Sequence, residues 1–261
     1  GLPGVTVLYT LFEADIILIH GESLDTFGVG FFQSRIHGES IIEGITHTLS
    51  SNPAIEFSTR GSTTMTFENI TITGTSATGT GVLFSDPMSF TGSGSSTISG
   101  FTGNEITTQG IFFADLVTIN APVTLVGSGE AVGIRLQTLT VSSAGSCTLH
   151  GSSSTTGITF EGDSFIYGDL NAFGTVDTAN TISTGIGIRV DSPMAFFGSN
   201  ARLQGTVEPG SGESIGVSIE ANINYDEESM LTIEGSNLVT GTPTCDTKFL
   251  YTGAQISEVT L

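Results

Sequence analysis

Gly110-Ile111-Phe112-Phe113 is one copy of a short motif: a small residue, then Ile or Val, then a variable residue, then an apolar side chain. Aligned on the Ile or Val, successive copies are 23 to 30 residues apart, with a mean of about 27. A repeat of this length predicts a protein built from stacked structural units. The other copies begin at Gly28, Ala54, Gly81, Gly133, Gly157, Gly187 and Gly216.

A longer match supports this alignment. Asp86-Pro87-Met88-Ser89-Phe90 resembles Ser192-Pro193-Met194-Ala195-Phe196, and the prolines of the two segments are 106 residues apart. Val82 and Ile188 are also 106 residues apart, which is four copies of the motif. Two independent alignments therefore agree on the period.

Short stretches within each unit alternate apolar and polar residues, as in Met65-Thr66-Phe67-Glu68-Asn69-Ile70-Thr71-Ile72. A period of two is typical of strands with one buried face, and Gly, Ser, Asn and Pro mark the ends of such stretches. Only 12% of residues are charged, and Lys248 is the single lysine, a composition that disfavours helices. The chain is predicted to be all-β.

The units predict a parallel β-solenoid, or β-helix. Two or three short strands cannot bury their own apolar face, so we expect the units to stack with their strands in register. This predicts a single domain over residues 1–261, with about nine to ten turns of ~27 residues. Residues 28–235 form its repeat core, residues 1–27 an apolar N-terminal turn, and residues 236–261 a C-terminal turn. A β-sandwich is the main alternative.

Two features of the predicted solenoid concern single residue types. Glycines are expected at sharp corners, where the backbone needs positive φ. Phenylalanines are expected to stack inward as the core, and these are Phe31, Phe57, Phe84, Phe113 and Phe160.

The Gly-Ile/Val-x-Phe/Leu strand, followed by turns rich in Gly, Ser and Thr, resembles secreted bacterial β-helical repeat proteins. Filamentous haemagglutinins and autotransporter passenger domains are the kind it resembles. The resemblance is one of repeat style and extends from about Phe27 to Glu234. It implies a right-handed parallel β-helix, secretion, and a role in adhesion or surface structure. Such proteins are often much longer, and their secretion domains are not present in these 261 residues.

The charge of the chain limits its partners. The net charge is −20, from 26 acidic and 6 basic residues, whereas phosphate contacts need clustered Lys and Arg. Nucleic acid and anionic membranes are therefore not expected as partners. The most apolar stretch, Val5 to Ile19, is interrupted by Glu13 and Asp15 and is too short to span a membrane. We expect a mature, secreted protein located outside the cell or at its surface, with cell-surface glycans as a candidate partner.

The two ends of the solenoid predict self-association. Open sheet edges invite further strands, and monomeric solenoids usually cap them. Here the N-terminal turn is strongly apolar, and Phe249-Leu250-Tyr251-Thr252-Gly253 reads like another repeat strand. We hypothesise head-to-tail stacking into a filament; alternatively the apolar start folds back as a cap, or more chain lies beyond the termini. The predicted assembly interface comprises Val7, Leu8, Tyr9, Phe12, Ile17, Ile19, Phe249, Leu250, Tyr251, Ile256 and Val259.

Catalysis by this architecture needs clustered basic groups or paired carboxylates. Arg135 and Arg189 occupy the same place in repeats two turns apart, and we expect solvent-facing positions there rather than a basic stripe. Asp163, Asp169 and the Asp226-Glu227-Glu228 cluster are expected in turns or solvated loops. The protein is predicted not to be an enzyme and to have no catalytic residue or cofactor. Carbohydrate binding or processing along a side wall is the alternative function.

Metal and disulfide chemistry have weak signals. His20, His37, His47 and His150 lack zinc-type spacing, so no metal site is predicted. Cys147 and Cys245 are 98 residues apart, roughly 3.6 turns, which separates them along the rod by more than a disulfide can span. Buried free thiols, a bridge made by a folded-back tail and a bond between subunits all remain open.

Overall fold

The computed structural model describes residues 4–8, 11–32, 35–47, 51–59, 64–103, 108–177, 185–208, 214–237 and 259–260. Every regular element in these ranges is a β-strand, and the strand pairings are parallel. The predicted class, an all-β parallel solenoid, is confirmed. In these ranges no helix has the length and apolar character needed to cross a membrane. The handedness of the coil stays a prediction.

The strands form two sheets that run the length of the rod. The first sheet contains β1 (Val5–Leu8), β3 (Val29–Phe32), β5 (Ile55–Ser58), β6 (Met65–Glu68), β8 (Val82–Phe84), β9 (Met88–Thr91), β11 (Gln109–Ile119), β13 (Val132–Val141), β15 (Thr156–Phe160), β16 (Ser164–Ile166), β18 (Gly185–Val190), β19 (Met194–Phe196), β21 (Ser214–Ile219) and β22 (Ile223–Tyr225). The second contains β2 (Leu11–Ser23), β4 (Arg35–Thr46), β7 (Ile70–Ser76), β10 (Ser96–Thr102), β12 (Pro122–Ser128), β14 (Ser146–Ser153), β17 (Asp169–Val176), β20 (Asn200–Val207), β23 (Met230–Asn237) and β24 (Val259–Thr260).

The register of the first sheet is the one that the repeated motif predicts. Each Ile or Val of the motif is the Cα partner of the next one, so these residues form a continuous column along the axis. Met88 and Met194 also share a column, four pairings apart. The column of the motif reads Val5, Val29, Ile55, Val82, Ile111, Ile134, Ile158, Ile188 and Val217.

The expected phenylalanine core is confirmed. Rings of Phe31, Phe57, Phe84 and Phe113 stack along the axis with centroid separations of 5.0, 4.9 and 4.3 Å. Phe160 continues the same column beyond Leu136, and these phenylalanines are at most 1% exposed. In-register strands lie about 4.8 Å apart, so a column of identical rings stacks without a gap.

The second sheet has a column of its own that consists of glycine. Its members pair from each strand to the next, and they face the small residues that open the motif in the first sheet. We call these two facing columns the glycine seam. The column of the second sheet reads Gly21, Gly44, Gly74, Gly100, Gly127, Gly151, Gly174, Gly205 and Gly235.

The seam glycines are required by close backbone approach. A Cβ added at Gly44 would lie 2.6 Å from the carbonyl oxygen of Ala54, and one at Gly133 would lie 2.6 Å from that of Gly157. The expectation of positive φ is wrong for the seam. Among the glycines that the structure describes, positive φ occurs at Gly92 (96°) and Gly198 (58°), both outside it.

Substitution of a seam glycine tests this close approach. A methyl group at Gly127 would overlap the carbonyl oxygen of Gly133 and lie 2.6 Å from Cγ1 of Ile134. Because main-chain atoms cannot yield, we expect Gly127→Ala to lower the free energy of unfolding by about 3 kcal/mol or more, measured by urea and thermal unfolding.

Gly235→Ala is the matched control. It lies in the same column, but an added Cβ would meet its nearest atom at 3.5 Å, an ordinary contact. We expect a change within about 1 kcal/mol, since Ala is favoured over Gly in a strand by a similar amount. Equal effects of the two substitutions would contradict the role of the seam.

Candidate functional site: the N-terminal edge

Both sheets end on the first turn. Within the described ranges β1 pairs with β3 and β2 pairs with β4, and neither has a strand on its other side. The Val5 N–H donates to the carbonyl of Gly28 at 2.8 Å, so it points into the sheet. Because successive N–H groups of a strand point to opposite sides, the Thr6 N–H points away from β3. The N-terminal edge thus presents backbone donors and acceptors along the axis.

The structure places some of the predicted interface residues at this edge. Val7 and Ile17 are 8% and 7% exposed and form the first layer of the apolar core. Ile19 is half-buried against that core, whereas Leu8 is exposed. Phe12 lies in β2, and its side chain is outside the description. Outside the described residues lie Tyr9, Phe249, Leu250, Tyr251 and Ile256.

At the other end of the second sheet, Val259 belongs to β24. It pairs in parallel with Ile233 of β23, so its backbone continues the row of paired positions that starts at Ile19. The C-terminal segment therefore adds a strand in register with the sheet.

Two exposed apolar residues at the edge were missing from the predicted interface. Ile16 and Leu18 of β2 are each 70% exposed, because the alternation of the strand turns Ile17 and Ile19 inward. Their outward orientation could have been predicted from the repeated spacing Ile19-x-Gly21. The apolar residue two positions before each seam glycine faces the core, so its neighbours face outward.

A shallow groove of mixed polarity continues from Ile16 along the outer face of the second sheet. Its volume is about 420 Å³, and the exposed side chains of Ile16 and Ile41 provide its apolar wall. The rest of its lining is small or polar: Glu39, Ser40, Asn69, Thr71, Gly94 and Ser95. The first turns of the rod therefore expose the apolar side chains of Ile16, Leu18 and Ile41 beside a largely polar groove.

A histidine–glutamate cluster links the edge strand to its neighbour. His20 Nδ1 lies 3.2 Å from Glu43 Oε2 across the β2–β4 pair, and His20 Nε2 lies 3.1 Å from Glu22 Oε1. His47 Nε2 lies 3.3 Å from the other oxygen of Glu22. Hydrogen bonds to the carboxylates of Glu22 and Glu43 raise the pKa of His20, and hydrogen bonds from His20 and His47 lower the pKa of Glu22. All four groups are solvent-exposed, so water and salt screen their attraction.

The two repeat arginines occupy solvent-facing positions, as predicted. Arg135 and Arg189 lie in one column with Thr159 between them, flanked by buried apolar residues. Arg135 Nε is 2.8 Å from a carboxylate oxygen of Glu161, and Arg189 Nε is 2.7 Å from one of Asp191. Each arginine is thus neutralised by a carboxylate of its own wall.

Asp163 and the Asp226-Glu227-Glu228 cluster lie in turns or loops, as predicted, whereas Asp169 is the first residue of strand β17. Asp226 opens the turn between β22 and β23, where its carboxylate accepts hydrogen bonds from the Gly198 N–H and the Ser229 hydroxyl. These bonds lower the pKa of Asp226. In the chain, Asp163 directly precedes β16, and Asp169 follows β16 at the start of β17. In the part of the chain that the structure describes, no three His, Cys, Asp or Glu residues form a group able to hold a metal ion.

Cys147 is a free thiol buried in β14, in the inward column between Val123 and Leu170. Complete burial raises its pKa to about 12 from 9.0. Of the three alternatives that the sequence leaves open, the structure shows a buried free thiol at Cys147, while Cys245 lies outside the described residues.

Comparison with known proteins gives no match to a family model, to a curated protein or to a solved structure. The structure supports the coarser part of the resemblance, since the chain is a β-helical repeat protein of parallel stacked strands. The likeness to filamentous haemagglutinins and autotransporter passengers rests on repeat style alone.

The histidine–glutamate cluster predicts a shifted titration. In the folded protein we expect His20 to titrate above 6.5, and Glu22→Gln to lower that value, as followed by NMR of the imidazole C–H against pH. The stabilisation of the fold by attraction between His20 and the two glutamates is complete below pH 6.5 and is lost as pH rises through the pKa of His20. The stabilisation of the fold by attraction between the Glu22 carboxylate and the two histidines is present above pH 4.5 and is lost as pH falls through the pKa of Glu22.

Glu39→Gln is the control for this titration, since it removes an exposed carboxylate from the neighbouring strand β4 that makes no hydrogen bond to His20. An unchanged His20 titration in Glu22→Gln, or an equal change in both variants, would show that Glu22 does not set it.

Burial of Cys147 predicts that its thiol does not react in the folded protein. In a Cys245→Ser variant, we expect a thiol-specific reagent to leave the folded protein unmodified and to label one thiol after unfolding, because the thiolate is the reactive form. Rapid labelling of the folded variant would contradict the placement of Cys147 in the core.

Proposed function

We propose that this protein is a non-catalytic structural rod of an extracellular surface, and that its copies stack head to tail. The observation that carries the proposal is the match between the two ends of the first sheet. β21 carries Val217 and Ile219 in the columns where β1 carries Val5 and Val7. A second copy placed on the first would continue both columns without a change of register.

The backbone groups at the two ends also match. In the column of the motif, the Val29 N–H donates to the carbonyl of Ala54, one turn further along the chain, and the Ile55 N–H donates to that of Gly81. By the same rule the Val217 N–H points out of the C-terminal end and donates to Gly4 of the next copy. The Thr6 N–H of that copy donates back to the carbonyl of Val217. Stacking therefore extends the axial hydrogen bonds instead of introducing a new kind of contact.

The strong negative charge opposes this association. Copies with a net charge of −20 repel one another, and the repulsion weakens as salt shortens the Debye length. The contact must therefore come from backbone pairing and apolar columns, and it strengthens as the salt concentration rises. Because a head-to-tail contact does not close, the product is a fibre.

The repeat style supports the extracellular part of the proposal. β-Helical repeats of the filamentous-haemagglutinin kind are adhesive or structural parts of surfaces. A chain with few charged residues, most of them acidic, also suits a rod whose walls are in contact with water. The pairing of Arg135 with Glu161 and of Arg189 with Asp191 supports a non-catalytic role for this wall.

Thr6→Pro tests the stacking. Proline removes the N–H that points away from β3 and leaves the internal bond of Val5 in place, so the fold is retained while the edge is blocked. At high protein concentration and ~0.5 M salt, we expect fibres of the unaltered chain by negative-stain electron microscopy. Thr6→Pro should give short rods, with association weakened at least about tenfold in sedimentation velocity.

Thr6→Val is the matched control, since it changes the side chain and keeps the N–H. We expect it to form fibres like the unaltered chain. Single rods of the unaltered chain at high concentration, or fibres formed equally by Thr6→Pro, would sink the proposal.

A further inference from the structure

Three aromatic rings on the outer wall of the C-terminal half are exposed to solvent. Phe165, Tyr167 and Phe197 expose 40%, 43% and 40% of their surface. Phe165 and Tyr167 are two residues apart, so they project from one face about 7 Å apart. Tyr167 stacks on Phe197 of the next turn, with ring centroids 4.8 Å apart and planes 15° apart. We call these three rings the aromatic platform.

Small residues surround the platform along the axis. The column neighbours of Phe165 are Thr140 and Ala195, one on each side. The column neighbour of Tyr167 in the preceding turn is Ser142, since their N–H groups bond to Val141 and Ile119 in the same pattern. Because none of these side chains is large enough to cover a ring, Phe165 and the face of Tyr167 that is turned away from Phe197 remain open to a ligand.

Carboxylate side chains border the platform. Asp226 lies one turn beyond Phe197, and both its oxygens are 3.0 Å from the N–H of Gly198. The Ser229 hydroxyl holds the same carboxylate at 2.6 Å, which fixes its orientation. On the other side, Asp169 accepts a hydrogen bond from the Asn200 amide at 3.3 Å, two residues after Tyr167.

This combination fits one chemical class of ligand. The C–H face of a pyranose ring is apolar and packs against an aromatic face, while its hydroxyls donate to carboxylates and accept from amides at the rim. An anionic polymer does not fit, because the net charge of −20 and the neighbouring Asp226, Glu227 and Glu228 repel it. We propose that the aromatic platform binds neutral pyranose residues of a polysaccharide.

The platform is independent of the stacking proposed above. It lies on the side wall formed by β16 and β19, and β22 continues that wall toward the C-terminal end. A rod with its ends engaged therefore still exposes the platform. Binding is best measured in the Thr6→Pro background, so that a failure of stacking and a failure of glycan binding give separate results.

A single tryptophan provides a direct probe. The chain contains no Trp, so Phe197→Trp introduces one fluorophore into the platform. On titration with a soluble neutral β-glucan or galactomannan we expect a saturable emission shift, with a Kd on the order of 1 mM per site. Polygalacturonate, an anionic polymer, should give no shift.

Phe101→Trp is the matched control, because Phe101 is similarly exposed, at 37%, but lies on the second sheet. It should not respond to the glycans. Absence of a shift in Phe197→Trp with every neutral polysaccharide, or an equal shift in Phe101→Trp, would overturn the proposal.

Affinity electrophoresis through the same glycans tests the other rings. We expect Tyr167→Ala and Phe165→Ala to weaken retardation at least about tenfold, and Phe101→Ala to leave it unchanged. Circular dichroism establishes whether each variant is folded. If an alanine variant does not fold, the Phe197→Trp titration still tests glycan binding by the platform. A change of sedimentation without a change of retardation in Tyr167→Ala would overturn the proposal in favour of contact between copies.

Discussion

The glycine seam is the constraint on which the rest of the solenoid depends. At the seam the backbones of the two sheets approach so closely that a Cβ at Gly44 would lie 2.6 Å from the carbonyl oxygen of Ala54, and one at Gly133 would overlap the amide nitrogen of Ser152. Real Cβ atoms essentially never come within 3.0 Å of such an atom. The narrow interior that results is filled by single columns of apolar side chains, and the column from Phe31 to Phe113 stacks at 4.3 to 5.0 Å. The close approach at the seam therefore sets the width of the interior that the core side chains fill.

A seam repeated in every turn also separates what is constant in the rod from what varies. Strand columns keep their register along the axis while the steps between seam glycines range from 23 to 31 residues. The extra residues lie in the connections, and outward positions carry side chains as different as Thr71, Phe173 and Arg202. Such a scaffold tolerates changes of its outward side chains at little cost to its core.

Two kinds of surface follow from this geometry. Within the described ranges the first sheet presents a backbone edge at each end with the same columns at both, and the walls present rows of outward side chains spaced by the strand separation. The proposed stacking uses the first surface, and the proposed glycan platform uses the second. A rod that joins end to end and binds glycans on its side would repeat its binding site along a fibre, which raises avidity without any new contact.

The sequence by itself determined the class, the period and the inward columns. Period-two alternation and the motif that begins at Gly28, Ala54 or Gly81 are visible in consecutive residues, and the paired columns agree with them. The phenylalanine stack followed for the same reason, since a residue at a fixed place in each repeat must meet its copies.

The tertiary structure alone decided which residues of different turns and sheets meet. It showed that the seam glycines are needed for close approach and not for positive φ, because that requirement arises only when the two sheets come together. It turned Ile16 and Leu18 outward, and it brought Tyr167 and Phe197, 30 residues apart in the chain, into one stack. Such neighbours depend on the length of each connection and on the packing of the corners, which no local pattern of residues encodes.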